Sequence, residues 1–266
     1  PAHIWTPWFG MFGSKSGFDS IKEAYDELSP EIHAIETGLS SDPPMNWQLS
    51  QLEGISIISN SDAHSPHKLG REATLMACDL SYANVIGAVK TNDARLSGTI
   101  EFYPEEGKYH YDGHRACNVR FSPEETKQHK GICPACGKPL VVGVDYRVEQ
   151  LADRALGQHN PGKKVEYIVP LVEVIAELQG TKSTTGRAVI EQYDNLIATL
   201  GDEFSILRAL PLDVIRSHNP HTALAVERIR TQQVYRSPGY DGVYGTIKVF
   251  KDASEKASIL NQLSLL

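Results

Sequence analysis

ISIISNSDAHSP, residues 55–66, is the stretch on which the reading of this chain turns. Ile55, Ile57 and Ile58 form an apolar run too short for a helix, and Asn60, Ser61 and Pro66 stop it, so it reads as a buried strand. The strand ends in Asp62-Ala63-His64, a carboxylate and an imidazole two residues apart. α/β barrels present their catalytic residues at that end of a strand. Carboxylate plus imidazole is a common ligand mix for Zn2+, Mn2+ or Fe2+ in hydrolytic sites, where the metal lowers the pKa of its water to roughly 7. The same spacing also describes an ordinary hydrogen-bonded strand end, and spacing alone leaves both open. His3 occupies a comparable place, and Glu36, at the end of another short run, is either a supporting acid or a strand-end charge. Capping or a solvent-facing role suits His67, His218 and His221, and His33 reads as an ordinary strand residue.

Working outward, residues 1–100 alternate short apolar runs with helical patterns: Ser20–Leu28 as helix, Ile32–Glu36 as strand, Ile55–Ser59 as strand and Ala83–Val89 as helix. This is an α/β rhythm. Residues 101–155 change character, with glycines spacing short strand-like pieces around three cysteines. Residues 156–266 carry apolar residues at helical spacing in Ile168–Leu178, Arg187–Leu200, Glu203–Ala209 and Ala223–Val234. The expected domains are therefore 1–100, 101–155 and 156–266.

In the middle region, His114-x2-Cys117 and Cys133-Pro-Ala-Cys136-Gly137 supply two knuckles separated by fifteen residues. Each knuckle offers two donors from one tight turn. Tetrahedral Zn2+ takes two such pairs and keeps no open position for water, so the spacing predicts a structural zinc. His110 or His129 could replace His114 as the fourth ligand. Cysteines used this way also point to a reducing cytoplasm rather than a disulfide framework.

Two stretches superficially resemble phosphate cradles, Gly10–Gly17 and Gly180–Gly186. A Walker A loop needs glycine directly before its lysine, and Ser14 and Thr181 stand there instead. No ATP chemistry is expected. Ser14, Lys15 and Ser16 could still contact a DNA phosphate through amides and the lysine.

The 266 residues are 41% hydrophobic, enough for a substantial core, and the net charge is -7. That charge argues against nucleic-acid binding by overall attraction, though not by a local patch. From Ser205 to Arg236 five arginines stand against Asp213 and Glu227. No apolar run nears the roughly 20 residues of a membrane span.

Taken together, Pro1–Trp8, Phe12–Asp19, Glu36–Pro44 and Asn60–His64 resemble the later part of a PHP (polymerase and histidinol phosphatase) domain. The zinc knuckles, Val148–Arg154 and Pro238–Gly245 narrow the resemblance to the endonuclease Q family, whose members are often labelled UvrD-like helicases. The resemblance implies the C-terminal part of a distorted β/α barrel, a small zinc-ribbon-like module and a mainly helical C-terminal region. It implies a metal-dependent repair endonuclease that nicks the phosphodiester 5′ of deaminated bases (uracil, hypoxanthine, xanthine) or abasic sites. His3, Asp62 and His64 would then be ligands of catalytic divalent metals, Zn2+, Mn2+ or Mg2+. The family's early H-x-H motif lies upstream of Pro1, so these residues alone are expected to be an inactive, N-terminally truncated piece. A small-molecule PHP phosphatase and a non-catalytic DNA or clamp adaptor are the alternatives.

The chain ends Gln262-Leu263-Ser264-Leu265-Leu266, similar to the peptide by which bacterial repair proteins dock on the sliding clamp. Gln262 would hydrogen-bond at one subsite, and Leu263, Leu265 and Leu266 would fill an apolar cleft.

Overall fold

The computed structural model describes residues 1–263. It divides into two compact units: Pro1–Glu166 with Ser237–Thr246, and Tyr167–Arg236 with Ile247–Leu266. These limits differ from the three regions expected from sequence. α5 (Val144–Leu151) belongs by sequence to residues 101–155, yet its Val144 and Val148 pack into the core built by Ile4, Trp5, Phe12, Ile21, Ile35, Leu49 and Leu52.

The first unit is mixed α/β. α1 (Ile21–Tyr25) starts where Ser20 accepts from the Glu23 amide, a side-chain N-cap, and is followed by a 3-10 turn over Asp26–Glu31. β1 (Ala34–Glu36) and β2 (Ser56–Ile58) pair in parallel, Ile35 opposite Ile57 and Glu36 opposite Ile58. Between them, α2 (Pro43–Asn46) is capped by Asp42, and Asn46 accepts from the indole N–H of Trp5 at 2.8 Å. The segment Pro1–Ile4 runs beside β1: the Glu36 amide donates to the Pro1 carbonyl and the Ile4 amide to the Glu36 carbonyl.

β3 (Ala73–Met76) is followed by α3 (Tyr82–Thr91), capped by Ser81, and by β4 (Leu96–Glu101). β3 and β4 pair antiparallel, Ala73 opposite Ile100, and β4 also pairs with β7 (Lys164–Tyr167). β5 (Asp112–His114) and β6 (Val119–Phe121) form a hairpin-like pair, followed by α4 (Pro123–Gln128) and α5 (Val144–Leu151). The expectation of part of a barrel is thus met only as mixed α/β. Among the described residues the strands fall into separate sheets of two or three, and no barrel closes.

The second unit is helical: α6 (Leu171–Gln179), α7 (Arg187–Leu200), α8 (Leu212–His218), α9 (Pro220–Arg230) and α10 (Ala253–Leu263). Asn219 ends α8 and starts α9, accepting from the Thr222 amide at 3.0 Å, with Pro220 in the first turn. His218 instead reaches Asn195 on α7 at 2.8 Å. The arginine-rich stretch is largely consumed internally. Arg216 pairs with Asp213, Arg228 with Glu255, and Arg230 donates to the carbonyls of Ile206, Leu207 and Leu210. No helix among the described residues is long and apolar enough to cross a membrane.

Candidate metal centres

The zinc knuckles converge. The ligand atoms of His114, Cys117, Cys133 and Cys136 all lie within 4.8 Å of one another. His114 ends β5, and a 3-10 turn over Arg115–Cys117 brings Cys117 round beside it, closed by Asn118 at φ 53°. On the other knuckle the Gly137 amide donates to the Cys133 carbonyl at 2.8 Å, and Gly137 takes φ 71°, which suits a residue without Cβ. Burial would raise the Cys133 thiol, but hydrogen bonds from His114 and from the amides of Ala135 and Cys136 outweigh it and bring it down to about 6. The two other histidines are engaged elsewhere. His110 is buried and stacks on Tyr111, its pKa pushed down to about 4 by burial, and His129 stacks on Phe121 at 4.5 Å. The donor set fits a structural zinc with His114 as fourth ligand.

The candidate catalytic residues sit at strand ends. His3 lies within the Pro1–Ile4 segment beside β1, and Asp62 and His64 follow β2. His3 (φ 32°) and Asp62 (φ 44°) both hold left-handed backbone, which is uncommon outside glycine and accumulates at functional sites. The Thr6 hydroxyl donates to the His3 carbonyl at 2.6 Å and lies 2.9 Å from His3 Nδ1. With its one proton so used, Thr6 accepts from Nδ1–H, which leaves the His3 Nε2 lone pair free. His64 Nδ1 lies 2.9 Å from the Asp62 carbonyl, which only accepts, so His64 also carries its proton on Nδ1 and offers Nε2. Such second contacts fix the tautomer that ligating histidines need. Arg71 secures the loop by donating to the carbonyls of Ser61 (2.8 Å) and Asp62 (3.3 Å).

Glu36 joins the two strand ends, accepting from the His3 amide at 2.8 Å and from the Asn60 side chain at 2.9 Å. Gly38, at φ 55°, makes room for His3: a Cβ there would lie 2.5 Å from the His3 Cβ. An open cleft bordered by Phe9, Ser16, Phe18 and Tyr25 adjoins His3. Among the described residues, however, His3, Asp62 and His64 do not come together as a ligand group in the way the zinc donors do.

The loop with the candidate DNA-contacting residues is held from α5. Arg147 donates to the Phe12 and Phe18 carbonyls and pairs with Asp19 at 2.6 Å. The Ser14 hydroxyl donates to the Val142 carbonyl, and the Ser16 hydroxyl accepts from the Phe9 amide. Lys15 remains exposed.

Comparison with known proteins draws these parts together. The chain superposes on the lesion-specific endonuclease PfuEndoQ from Pyrococcus furiosus with a TM-score of 0.83 and 29% identity, over 98% of this chain and 65% of that one. The chain is thus similar to endonuclease Q along nearly its whole length. A second endonuclease Q structure, in complex with a 27-mer duplex substrate carrying an abasic lesion at its active site, matches with a TM-score of 0.79 and 29% identity, over 94% of this chain and 63% of that one. MJ0043 from Methanocaldococcus jannaschii is 32% identical over 92% of the chain, and YqxK from Bacillus subtilis is 31% identical over 93%. The chain spans 31% and 60% of those two relatives' length. Residues 170–233 match the MJ0043 C-terminal domain family, inside the helical unit.

Within the endonuclease Q likeness, sequence reading missed two acids, Glu72 and Glu101. Glu72 immediately precedes β3 and Glu101 ends β4, so the antiparallel register sets them opposite each other. Glu72 is 2% exposed, with neither oxygen in a well-formed hydrogen bond, and Glu101 accepts from Thr37 and Ser59 at 3.2 Å each. Burial pushes Glu72 up to about 8 and Glu101 well above the carboxylate range. Glutamate at the flank of each apolar run was the available signal. Gln262 and Leu263 close α10, whereas Leu265 and Leu266 lie outside the described residues. The clamp-docking expectation gains no support from these relatives.

Proposed function

We propose that the chain is the later part of a metal-dependent DNA-repair endonuclease that nicks 5′ of deaminated bases or abasic sites. The observation that carries this reading is the match along nearly the whole chain to two endonuclease Q structures, one holding abasic DNA. In this reading the β1–β2 ladder with Pro1–Ile4 is a section of the PHP barrel, residues 101–155 are its zinc module, and residues 156–266 its helical region. His3, Asp62 and His64 are metal ligands, offering two imidazole Nε2 atoms and one carboxylate at neighbouring strand ends.

Divalent metals bound there would activate water and stabilise the leaving 3′-oxygen. The chain's own part is positional. Thr6 and the Asp62 carbonyl set the histidine tautomers, Glu36 holds the His3 backbone, and Arg71 fixes the Asp62 loop. Three donors do not make a multinuclear cluster, so the reading requires further ligands from outside these residues. The zinc, when bound, would cross-link the two knuckles and act in folding rather than in the reaction.

The test is a nicking assay on duplexes containing uracil, hypoxanthine or an abasic site, with the longest native form of the protein and its Asp62→Asn variant. Cutting of lesion duplexes by the parent and at least 100-fold slower cutting by the variant are expected. Equal cutting by both would remove Asp62 from the site, and no cutting by the parent would remove the substrate class.

A further inference from the structure

A second chemistry shows on the surface of the first unit. Trp8, 41% exposed, meets Tyr109 edge-on with ring centroids 5.1 Å apart. The Lys108 ammonium lies 5.7 Å from the Tyr109 ring centroid and 5.8 Å from that of Tyr244, which is 70% exposed. Arg115 and the Tyr109 hydroxyl both approach Gly242, since a Cβ there would lie 3.3 Å from the guanidinium and 3.6 Å from the hydroxyl. Three segments distant in sequence, the loop after His3, the start of the zinc region and the 237–246 loop, thus bring three aromatic rings and two cations to one place.

The loop is built to sit there. The Gly239 amide donates to the Glu105 carbonyl and the Gly245 amide to the Glu106 carbonyl, and a Cβ on Gly245 would lie 2.0 Å from the Glu105 carbonyl oxygen. Tyr240 is buried, with its hydroxyl on Asn118 at 2.7 Å, while Tyr244 faces outward. The acid of this loop, Asp241, accepts from the Arg115 backbone amide at 2.6 Å. Neither the Lys108 ammonium nor the Arg115 guanidinium pairs with a carboxylate among the described residues, in a chain of net charge -7.

Tyr109 is half-buried, but core packing does not account for the exposed rings of Trp8 and Tyr244. Exposed ring faces interleaved with unpaired cations match the needs of an unstacked nucleic-acid strand, whose bases stack on aromatics while its phosphates take the cations. A duplex hides its base faces and would use the cations alone. We propose that Trp8, Lys108, Tyr109, Arg115 and Tyr244 form a surface that binds single-stranded DNA by stacking bases on the rings and holding phosphates with Lys108 and Arg115. The proposal rests on the DNA-nuclease reading above and deepens it. Trp8 lies five residues after His3, and its neighbour Phe9 borders the candidate cleft.

The test is fluorescence anisotropy with a labelled oligothymidylate of about ten nucleotides, sized to one stacking surface, and with a lesion-free duplex of the same length. It compares the protein with Trp8→Ala, Tyr244→Ala, Lys108→Gln and Tyr82→Ala. Trp8→Ala and Tyr244→Ala are each expected to weaken single-strand binding roughly 10-fold and duplex binding little. Lys108→Gln should also lower the slope of log affinity against log salt by about 0.7. Tyr82, exposed on α3 and outside the patch, should be indifferent. Unchanged zinc content and circular dichroism would show that the variants fold. No binding of oligothymidylate, or equal binding by the parent, Trp8→Ala and Tyr244→Ala, would overturn the proposal. Lesion cutting measured in parallel on the longest native form of the protein separates the two ideas: patch-dependent binding without cutting sinks only the nuclease reading, and cutting with indifferent ring variants sinks only this surface.

Discussion

Glu36 holds His3 by its backbone: one carboxylate oxygen accepts from the His3 amide at 2.8 Å, while the other takes the Asn60 amide at 2.9 Å. One side chain at the end of β1 therefore sets the positions of the two neighbouring strand ends that carry the candidate ligands. His3 keeps an unfavourable φ of 32°, and such a conformation persists only where its surroundings over-determine it.

Removing this tie should loosen both sides. Glu36→Ala is expected to cost roughly 1–2 kcal/mol, the range for hydrogen bonds to a partly buried charged group, measured as a shift in urea midpoint at constant slope. An unchanged midpoint would show that the strand ends stand without it.

Gly38→Ala tests the close approach beside His3. The added Cβ would meet the His3 Cβ at 2.5 Å, at a φ of 55° that L-residues rarely adopt. A loss of about 2 kcal/mol or more is expected, with His3 displaced. An alanine variant as stable as the parent would mean that this turn can shift freely.

The Glu72–Glu101 pair makes stability depend on pH. Glu72 has its folded pKa raised from 4.5 to about 8 by burial, so the folded state holds its proton where the unfolded chain has lost it. Folding stability should therefore fall as pH rises from about 4.5 to 8. Glu72→Gln should flatten that slope to the part Glu101 contributes, stabilising the protein at pH 8 far more than at pH 4.5. Parallel pH profiles of unfolding for parent and variant would contradict the burial argument.

Zinc should follow the four converged donors. The parent is expected to bind one equivalent, and Cys133→Ser or His114→Ala to lose it, whereas His110→Ala and His129→Ala keep it. Because α5 shares the core of residues 1–52, a chelator should lower the melting temperature of the whole first unit rather than release one small module. Metal analysis with calorimetry reads both outcomes.

Much of this was legible in the sequence. Local signals are short-range, so they survive without tertiary context: β1 and β2 follow their apolar runs, and α7 covers the Arg187–Leu200 pattern. The Cys-x2-Cys and His-x2-Cys spacings likewise state their chemistry in one turn each, and the endonuclease Q resemblance rests on such motifs. The His114-x2-Cys117 knuckle pointed to His114, and the packing of His110 on Tyr111 and of His129 on Phe121 sets the two alternatives aside. The opposition of Glu72 and Glu101 was not legible, because it follows from the register of β3 on β4 across an intervening helix. The use of the 205–236 arginines inside their own unit, and the meeting of Trp8, Lys108 and Tyr244, also come from chain segments that only folding brings into contact. Residue types determined what chemistry the chain could hold. The packing of distant segments decided which donors converge, which charges are spent internally and which remain at the surface.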